Sequence, residues 1–225
     1  LIPGSVGASP MQNIGAYGAE IKDCFVELTA FHIEKRALHT FSAADCAFGY
    51  RESVFKRALK GQYIIVSVTY RLQKQPQFNT AYGAIQTELD AMNVTELSVS
   101  AISQAVMNIR NSKLPNPKEL GNAGSFFKNP VVDSGVAAAL KERFPEMPGY
   151  PQPDGSVKLA AGWLIEQAGW KGKRIGNCGV NARQALVLVN YGGATGNEIY
   201  ALSQAVLDDV QLQFGVLLER EVNIL

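Results

Sequence analysis

A serine in a glycine-rich setting is the first side chain whose context could support chemistry. Ser125 lies in GNAGSFFKNP, after Gly124 and before Lys128 and Asn129. A glycine-flanked turn before a strand would expose its hydroxyl group. No histidine lies nearby in the sequence and the context is not a GxSxG elbow, so a hydrolase triad is disfavoured. On spacing alone, Ser125 is either a reactive hydroxyl or an ordinary turn serine.

A glycine-rich loop at the beginning of the sequence could bind phosphate. Residues 1–18 read LIPGSVGASPMQNIGAYG. Glycine, proline and small side chains permit tight turns and let backbone amides approach a ligand closely. The spacing matches neither the GxGxxG fingerprint nor a GxxxxGK loop. The pattern alone therefore fits a phosphate loop or a structural loop.

The cysteines and histidines do not indicate a metal site. Cys24, Cys46 and Cys178 lack the paired spacing of zinc ligands or of a disulfide framework, which fits a reducing compartment. We expect small, buried thiols without a chemical role. His32 and His39 fall in a strand-like region, where surface or pairing roles are expected, and no metal is predicted.

The composition is typical of a globular protein that binds small molecules. The 225 residues are 47% hydrophobic and 18% charged, and the net charge of +1 provides no broad basic surface for nucleic acid. No apolar run approaches the roughly 20 residues that cross a bilayer, and no signal peptide is recognised. We expect a cytoplasmic monomer without membrane insertion. Because the sequence opens on Leu1 and directly on a glycine-rich loop, we also expect an upstream segment.

In the first half of the sequence, strand patterns dominate. Residues 23–35 and 37–42 predict a β-hairpin, and QYIIVSVTYRL at 62–72 predicts a third strand because it is rich in β-branched and aromatic residues. Apolar positions at helical spacing predict a helix over 97–110. Segment 113–124 is predicted to be irregular, since Pro115 and Pro117 lack N–H donors. A domain junction near residue 111 follows.

The second half of the sequence predicts an α+β arrangement. Residues 125–132 are predicted as a strand, 133–144 as a helix capped by Asp133, 159–168 as a helix and 184–190 as a buried strand. Thr195 and Glu198 have the spacing of a capping box before a last helix. Residues 215–224 are predicted to close as a strand. The whole chain is therefore assigned to the α+β class.

Six sequence strings in one order make the chain similar to a known family. It resembles UDP-N-acetylenolpyruvoylglucosamine reductase, of the type with a tyrosine loop over its substrate. The strings are IPGSVGASPMQNIGAYG at 2–18, FGYRES at 48–53, KLPNPK with GNAGSFFKNP in 113–130, YPQPDGSVKLAAGWLIEQ at 150–167, QALVLVN at 184–190 and LEREV at 218–222.

The resemblance implies a flavin-dependent reductase of peptidoglycan precursor synthesis. FAD, reduced by NADPH, would pass hydride to UDP-N-acetylglucosamine enolpyruvate and give UDP-N-acetylmuramate. The implied organisation is the C-terminal portion of an FAD-binding domain of the vanillyl-alcohol oxidase type at 1–110, an α+β substrate-binding domain at 111–215, and a C-terminal strand at 216–225 that returns to the active site. The part of the family that precedes these strings does not occur in this sequence.

The resemblance also assigns catalytic roles. The reaction needs stabilisation of negative charge and a proton for the adjacent carbon. Arg51 in FGYRES matches the family arginine beside the substrate carboxylate, although a surface salt bridge with Glu52 is the alternative. Glu221 in LEREV matches the family glutamate, with Glu219 as its nearest competitor. Ser125 matches the proton donor.

Binding residues carry over in the same way. The resemblance implies these substrate contacts: Tyr50, Tyr82, Arg110, Lys113, Asn129, Tyr150, Lys158 and Gln184. Tyr82 would belong to the loop that closes over the substrate, and Lys113 and Lys158 would lie near the diphosphate. The loop that begins at Pro3 would line the flavin, through backbone amides around Gly4, Ser5, Ala8, Ser9, Ile14, Gly15 and Ala16.

Two other functions remain open from the sequence. The chain could be only a UDP-sugar-binding module without redox activity, since part of the family's length is missing. It could also be a related FAD oxidoreductase that acts on another alcohol or acid.

Overall fold

The chain forms two compact units. A computed structural model describes residues 4–224, so Pro3 at the beginning of the predicted flavin loop lies outside the described residues. The units are Leu1–Arg110 and Asn111–Leu225. No helix in the described part of the chain is long and apolar enough to span a bilayer.

In its described part, from residue 4 onwards, the first unit contains a short hairpin, a three-stranded sheet and three α-helices. Its strands are β1 (Gly15–Ala16), β2 (Ala19–Glu20), β3 (Phe25–His32), β4 (Ala37–Ser42) and β5 (Tyr63–Tyr70), and its helices are α1 (Ala43–Cys46), α2 (Ile85–Ala91) and α3 (Val99–Lys113), which runs three residues past Arg110. The beginning of the chain is more regular than a plain loop, because Val6–Gln12 forms a 3₁₀ helix.

The antiparallel sheet confirms the predicted hairpin and third strand. The strand order is β4-β3-β5, with Phe31 opposite Leu38 on one side and Ile64 on the other. One face of β3 buries Leu28, Ala30 and His32. Alternate residues of a strand point to opposite faces, so this pattern places the first core on one side of the sheet. Helices α2 and α3 make a second small core.

The second unit contains two sheets and three helices. Its strands are β6 (Gly121–Ser125), β7 (Val131–Val132), β8 (Gly149–Pro151), β9 (Val157–Leu159), β10 (Arg174–Ile175), β11 (Cys178–Val180) and β12 (Val187–Asn190), and its helices are α4 (Ser134–Arg143), α5 (Ala161–Gln167) and α6 (Gly196–Phe214). The sheet orders are β10-β11-β12-β6 and β7-β9-β8, and all pairs are antiparallel.

Helix α6 confirms the predicted capping box. The Thr195 hydroxyl accepts a hydrogen bond from the Glu198 amide, and the Glu198 carboxylate accepts one from the Thr195 amide. Hydrogen bonds that the Thr195 amide and hydroxyl donate to the Glu198 carboxylate lower the pKa of Glu198, with the backbone bond as the main cause. Helix α4 begins after Asp133 as predicted, but the Asp133 side chain makes no capping hydrogen bond.

Three local predictions were wrong, and all concern segments that pair over long distances. Residues Gly121–Ser125 form β6, which pairs with β12, although segment 113–124 was predicted to be irregular. The strand predicted over 125–132 ends at Ser125 and resumes only at β7 in the other sheet. Between these strands, the Phe126 amide donates to the Leu186 carbonyl and the Lys128 amide donates to the Glu219 carbonyl of the C-terminal segment.

The strand predicted over 215–224 is absent. This segment has only an isolated bridge, in which Arg220 faces Phe127. Its partner segment is itself irregular, so pairing cannot extend along a ladder. Val216 and Leu218 are nevertheless buried while Leu217 and Glu219 are exposed, which is the alternation of a strand with one buried face.

Candidate active site

Ser125 lies at the end of a strand, not on the turn that its glycine neighbours suggested. It is the last residue of β6, opposite Val187 of β12, and it is solvent-exposed. Gly124 has a φ of 72°, a left-handed conformation that glycine adopts without strain. The next residue, Phe126, donates its amide hydrogen to the Leu186 carbonyl at 2.7 Å and turns its ring into the core. The backbone thus exposes a hydroxyl beside a rigid, buried segment.

Two backbone hydrogen bonds bring Ser125 and Glu221 into one region of the second unit. The Glu221 amide donates to the Phe126 carbonyl at 2.8 Å, and the Lys128 amide donates to the Glu219 carbonyl at 2.8 Å. These bonds flank the bridge between Phe127 and Arg220. The backbone of Glu221 is therefore held next to Phe126, the residue that follows Ser125.

Glu219, the competitor of Glu221, has a separate partner. Its carboxylate lies 2.7 Å from the Lys128 ammonium group. Lys128 is buried at 5% exposure, whereas the Glu219 side chain is 61% exposed. Burial of a cation is costly unless it is paired, so this ion pair stabilises Lys128 and fixes the bridge from a second side.

Arg220, between the two glutamates, anchors the bridge to α6. Its Nε donates to the Ser203 hydroxyl at 2.8 Å and its Nη2 donates to the Gln204 side-chain oxygen at 2.7 Å. Its guanidinium lies 4.4 Å from the centre of the Tyr200 ring. Three residues on one face of α6 thus hold the side chain of Arg220, the neighbour of Glu221 in the chain.

The second small sheet brings two of the predicted substrate residues side by side. Lys158 of β9 lies directly opposite Tyr150 of β8 and opposite Val131 of β7. Directly opposed residues of antiparallel strands project to the same face. Tyr150 and Val131 are exposed on it, so the face offers an aromatic ring, a cation and an apolar side chain in one row.

Asn129 and Gln184 both lie against the beginning of α5. The Asn129 side-chain oxygen accepts a hydrogen bond from the Ala161 amide at 3.0 Å. The side-chain oxygen of Gln184 lies close to Gly162, where a Cβ would approach it to 3.2 Å. It also accepts a hydrogen bond from the Leu186 amide at 3.3 Å. Both amide groups are thus fixed by backbone contacts through their oxygens.

Lys113 ends α3 and is exposed to solvent. The Arg183 guanidinium donates to the Ser112 carbonyl at 3.3 Å and reaches the Leu114 carbonyl at 3.5 Å. Arg183 therefore holds the backbone on both sides of Lys113, and it precedes Gln184 in the chain. Carbonyls at a helix end lack intrahelical donors, so a guanidinium satisfies them well.

Arg51 lies on a tight turn in the first unit. Gly49 and Glu52 exchange backbone hydrogen bonds of 3.1 and 3.2 Å across it. Arg51 has a φ of 56°, which is unfavourable for a side chain of its size. Its guanidinium carbon lies 5.3 Å from the centre of the Tyr50 ring, and its carbonyl accepts a hydrogen bond from Lys56. The Glu52 carboxylate, the alternative partner for Arg51, bonds to Arg57 at 2.9 Å.

The predicted flavin loop is partly closed by its own hydrogen bonds. The amides of Ala8 and Ile14 already donate to the Ser5 and Ser9 carbonyls. Ser9 is buried, and its hydroxyl contacts the Val6 carbonyl and the Tyr70 hydroxyl. Gly15 pairs in β1, where a Cβ would lie only 2.5 Å from the Ala19 carbonyl oxygen. Not all seven predicted amides are therefore available to a ligand.

The exposed part of the loop still has a suitable surface. Its exposed members are Gly4, Ser5, Ala8, Ile14 and Ala16. Four of them are glycine or carry very small side chains, which leaves backbone close to solvent. A flat or phosphorylated ligand could approach this surface more closely than one lined with long side chains.

Tyr82 lies against the end of the same loop. Its ring packs edge-on against Tyr17 with centres 6.3 Å apart, and it approaches Gly18 so closely that a Cβ there would meet it at 3.2 Å. Burial raises the pKa of Tyr17, and the nearby charge of Arg110 partly opposes this shift. The Arg110 Nε is buried and meets no hydrogen-bond acceptor within residues 4–224.

The predicted residues therefore fall into groups that lie in different units. Tyr50, Arg51, Tyr82, Arg110 and the flavin loop belong to the first unit, and Ser125, Glu221 and the remaining substrate candidates belong to the second. Sequence reasoning missed several residues that hold these groups. They are Asn13, Tyr17, Val131, Arg183 and Arg220, together with the ion pair of Lys128 and Glu219. The contacts that these residues make join distant segments, so no local pattern in the sequence indicated them. Residues 4–224 contain no cluster of three or more His, Cys, Asp or Glu side chains that could hold a metal ion.

Comparison with known proteins gives one consistent result. Residues 116–225 match the family model described as UDP-N-acetylenolpyruvoylglucosamine reductase, C-terminal domain. Proteins named UDP-N-acetylenolpyruvoylglucosamine reductase from Amoebophilus asiaticus and Flavobacterium johnsoniae are each 54% identical to the chain over its whole length. The chain spans 66% and 67% of these two relatives. A third relative of that name, from Pseudomonas putida, is 53% identical and 66% covered.

The fold also has a counterpart among solved structures. The crystal structure of UDP-N-acetylenolpyruvylglucosamine reductase from Thermus caldophilus matches with a TM-score of 0.61 over 99% of this chain and 60% of that chain. At 21% identity this likeness concerns the fold alone. The identities to the named relatives carry the family assignment and confirm the resemblance seen in the six strings. The chain belongs to the UDP-N-acetylenolpyruvoylglucosamine reductase family and spans about two thirds of its relatives' length.

Proposed function

We propose that the full-length protein reduces UDP-N-acetylglucosamine enolpyruvate to UDP-N-acetylmuramate in peptidoglycan precursor synthesis, with FAD as cofactor and NADPH as hydride source. The observation that carries the proposal is the backbone bridge that holds Glu221 beside the residue following Ser125. It brings the backbone of two of the three proposed catalytic residues into one region of the second unit, which supports the proposal. Relatives named as reductases support the same reaction class.

The flavin loop fits a cofactor of this kind. Its exposed residues are small, and they include Gly4, Ser5, Ala8 and Ala16. Such a surface lets backbone groups approach a diphosphate or a ring system closely. The first unit would then be the C-terminal portion of an FAD-binding domain of the vanillyl-alcohol oxidase type. When bound, FAD supplies to the substrate a hydride obtained from NADPH.

The chain's own residues would manage the charge and the proton. Hydride addition to the terminal vinyl carbon places negative charge on the enolate and its carboxylate. The Arg51 guanidinium would bind that carboxylate, since its planar fork matches two oxygens. Ser125 would donate a proton to the adjacent carbon, and a neutral Glu221 carboxyl group would donate a hydrogen bond towards the developing charge.

The nucleotide sugar would be bound mainly by the second unit. Lys158 and Lys113 would neutralise the diphosphate, while Tyr150, Asn129 and Gln184 would contact the uridine and sugar. Tyr50, Tyr82 and Arg110 of the first unit are proposed as further substrate contacts. The row formed by Tyr150, Lys158 and Val131 supports this role, because it combines charge with a surface for stacking.

Ser125→Ala in the full-length protein tests the proposal. The loss of a general acid should reduce turnover of the enolpyruvyl sugar by about 10²- to 10⁴-fold, while flavin reduction by NADPH continues. Ser134→Ala is the matched control, because that exposed serine begins α4 outside the site. Equal turnover in both variants would refute the proton-donor role. Failure of the wild-type protein to reduce this substrate would refute the function and favour a related FAD oxidoreductase acting on another acid.

A second candidate function is UDP-sugar binding by the present chain without redox activity. It is favoured by the position of Lys113, Asn129, Tyr150, Lys158 and Gln184, which all belong to the second unit. Calorimetry with UDP-N-acetylmuramate should then detect binding in protein that shows no flavin absorbance. Lys158→Ala should weaken binding, whereas Lys171→Ala should not. Absence of binding by the wild-type chain would refute this candidate.

The proposed setting of the enzyme is the cytoplasm, and its proposed state is a monomer. A precursor carried on a nucleotide is made where nucleotides are available. Sedimentation of the full-length protein at micromolar concentration checks the oligomeric state, and a mass of two subunits would contradict it.

A further inference from the structure

Asn13 is a buried residue whose side chain makes three hydrogen bonds, and none of the roles described above involves it. It has no solvent exposure and a φ of 48°, a left-handed conformation that asparagine tolerates better than most residues. Its side-chain nitrogen donates to the Glu20 carboxylate and to the Gly49 carbonyl, each at 3.0 Å. Its side-chain oxygen accepts from the Lys22 amide at 3.1 Å.

The bond to Gly49 links the flavin loop to the Arg51 turn. Gly49 is one of the two residues that close this turn by backbone hydrogen bonds. A second link runs in parallel, because the Ser53 hydroxyl donates to the Met11 carbonyl at 2.6 Å. Both links connect the region of the 3₁₀ helix to the ends of the turn. The strained Arg51 backbone is therefore held from both sides.

We propose that Asn13 is a positioning residue for Arg51, one that sets the guanidinium relative to the flavin loop within the first unit. The inference rests on the proposed function, in which Arg51 binds the substrate carboxylate. A carboxamide suits this place because it donates twice and accepts once in the required arrangement. Aspartate has the same shape but no N–H groups, so it would turn an oxygen towards the Gly49 carbonyl and the Glu20 carboxylate.

A merely structural asparagine would produce a different pattern. Loss of packing or of stability would lower activity whatever residue stands at position 51. A residue that acts through Arg51 would matter only while the guanidinium is present. A double-mutant cycle separates these two cases, because it measures whether two substitutions act independently.

The experiment compares Asn13→Asp, Arg51→Ala and the double variant in the full-length flavoprotein. Asn13→Asp should lower kcat by about 10- to 100-fold, as expected when a catalytic group is misplaced, with little change in KM. In the Arg51→Ala background, the same exchange should change kcat by less than about twofold. The rate of flavin reduction by NADPH should be unchanged. Asn190→Asp is the matched control, since that side chain also donates to one backbone carbonyl and accepts from backbone amides in a turn.

Hydrogen exchange provides a readout that needs no turnover. In flavin-free protein, Asn13→Asp should speed exchange of the Gly49 and Glu52 amides, while Asn190→Asp should not. If Asn13→Asp does not fold, Ser53→Ala removes the parallel link and enters the same cycle. Multiplicative effects of the two substitutions, or wild-type kcat in Asn13→Asp, would overturn the inference. An inactive wild-type enzyme would instead refute the proposed function.

Discussion

Arg51 and Glu221 are both candidate catalytic residues, but the chain holds them in different ways. Arg51 lies on a turn that Gly49 and Glu52, two residues close in sequence, close by backbone hydrogen bonds, and Asn13 ties this turn to the flavin loop. Glu221 has no local element, and its amide bonds to Phe126 from nearly the whole length of the second unit away.

The two residues therefore depend on different kinds of interaction. The turn stores backbone strain at Arg51, whose φ is 56°. The C-terminal bridge stores no such strain but depends on side chains that lie far apart in the sequence, above all Arg220 and the ion pair of Lys128 and Glu219. Local strain and long-range anchoring should therefore respond differently to substitution.

Arg51→Gly should give the largest effect and should change activity and stability in opposite directions. Loss of the guanidinium should lower kcat by about 10²- to 10³-fold. Glycine adopts a positive φ without strain, so the free energy of unfolding should rise by about 1 kcal/mol. Arg36→Gly is the matched control, because Arg36 has a φ of 51° in the hairpin turn before β4. Steady-state kinetics and urea unfolding check both quantities, and unchanged kcat in Arg51→Gly would contradict the assignment.

Substitution of the two partners in the Lys128–Glu219 ion pair should change the free energy of unfolding by different amounts. Glu219→Ala leaves the buried Lys128 ammonium without this carboxylate and should destabilise the protein by about 2 kcal/mol. Lys128→Met removes the buried charge and leaves a largely exposed carboxylate, so its cost should stay below about 1 kcal/mol. Urea unfolding of each variant gives the two values. Equal losses of unfolding free energy in the two variants would mean that the burial of Lys128 does not determine what this ion pair contributes to stability.

The two predicted helix caps offer a smaller, purely local comparison. Thr195→Ala should cost about 1 kcal/mol, because the hydroxyl caps α6, whereas Asp133→Ala should cost only a few tenths, since its side chain makes no capping bond. The pKa of Glu198 is lowered in the folded protein, so its contribution is present above the ordinary carboxyl pKa and is lost as the pH falls. Thermal unfolding at neutral and acidic pH measures both effects, and an equal cost for the two substitutions would contradict the structural difference.

The smallest predicted effect is a difference in alkylation rate between two thiols of the first unit. Burial raises the pKa of Cys46 to about 11, while Cys24 is partly exposed. Iodoacetamide at about pH 8 should therefore modify Cys24 well before Cys46. Folding favours the neutral Cys46 thiol, so its contribution to stability is complete below the ordinary thiol pKa and declines as the pH rises towards that value of about 11. Mass spectrometry of the alkylated peptides checks the order, and equal rates would contradict the burial of Cys46.

The predictions that the structure confirmed share a physical basis. Enrichment in β-branched and aromatic residues identified β3 and β5, and the spacing of Thr195 and Glu198 identified the start of α6. These signals lie within a few residues of one another, and local sterics and hydrogen bonds express them directly. The types of the candidate catalytic residues were likewise visible, since the motif strings are contiguous.

By itself, the sequence determined the family, the main strands and helices, and the chemical groups available for catalysis. Only the tertiary structure decided that Ser125 ends a strand, that the last segment forms a single bridge, and that Asn13 joins the flavin loop to the Arg51 turn. The reason is that such contacts depend on backbone donors and acceptors from distant segments. Their pairing is fixed by the packing of the whole unit and leaves no periodic pattern in the sequence.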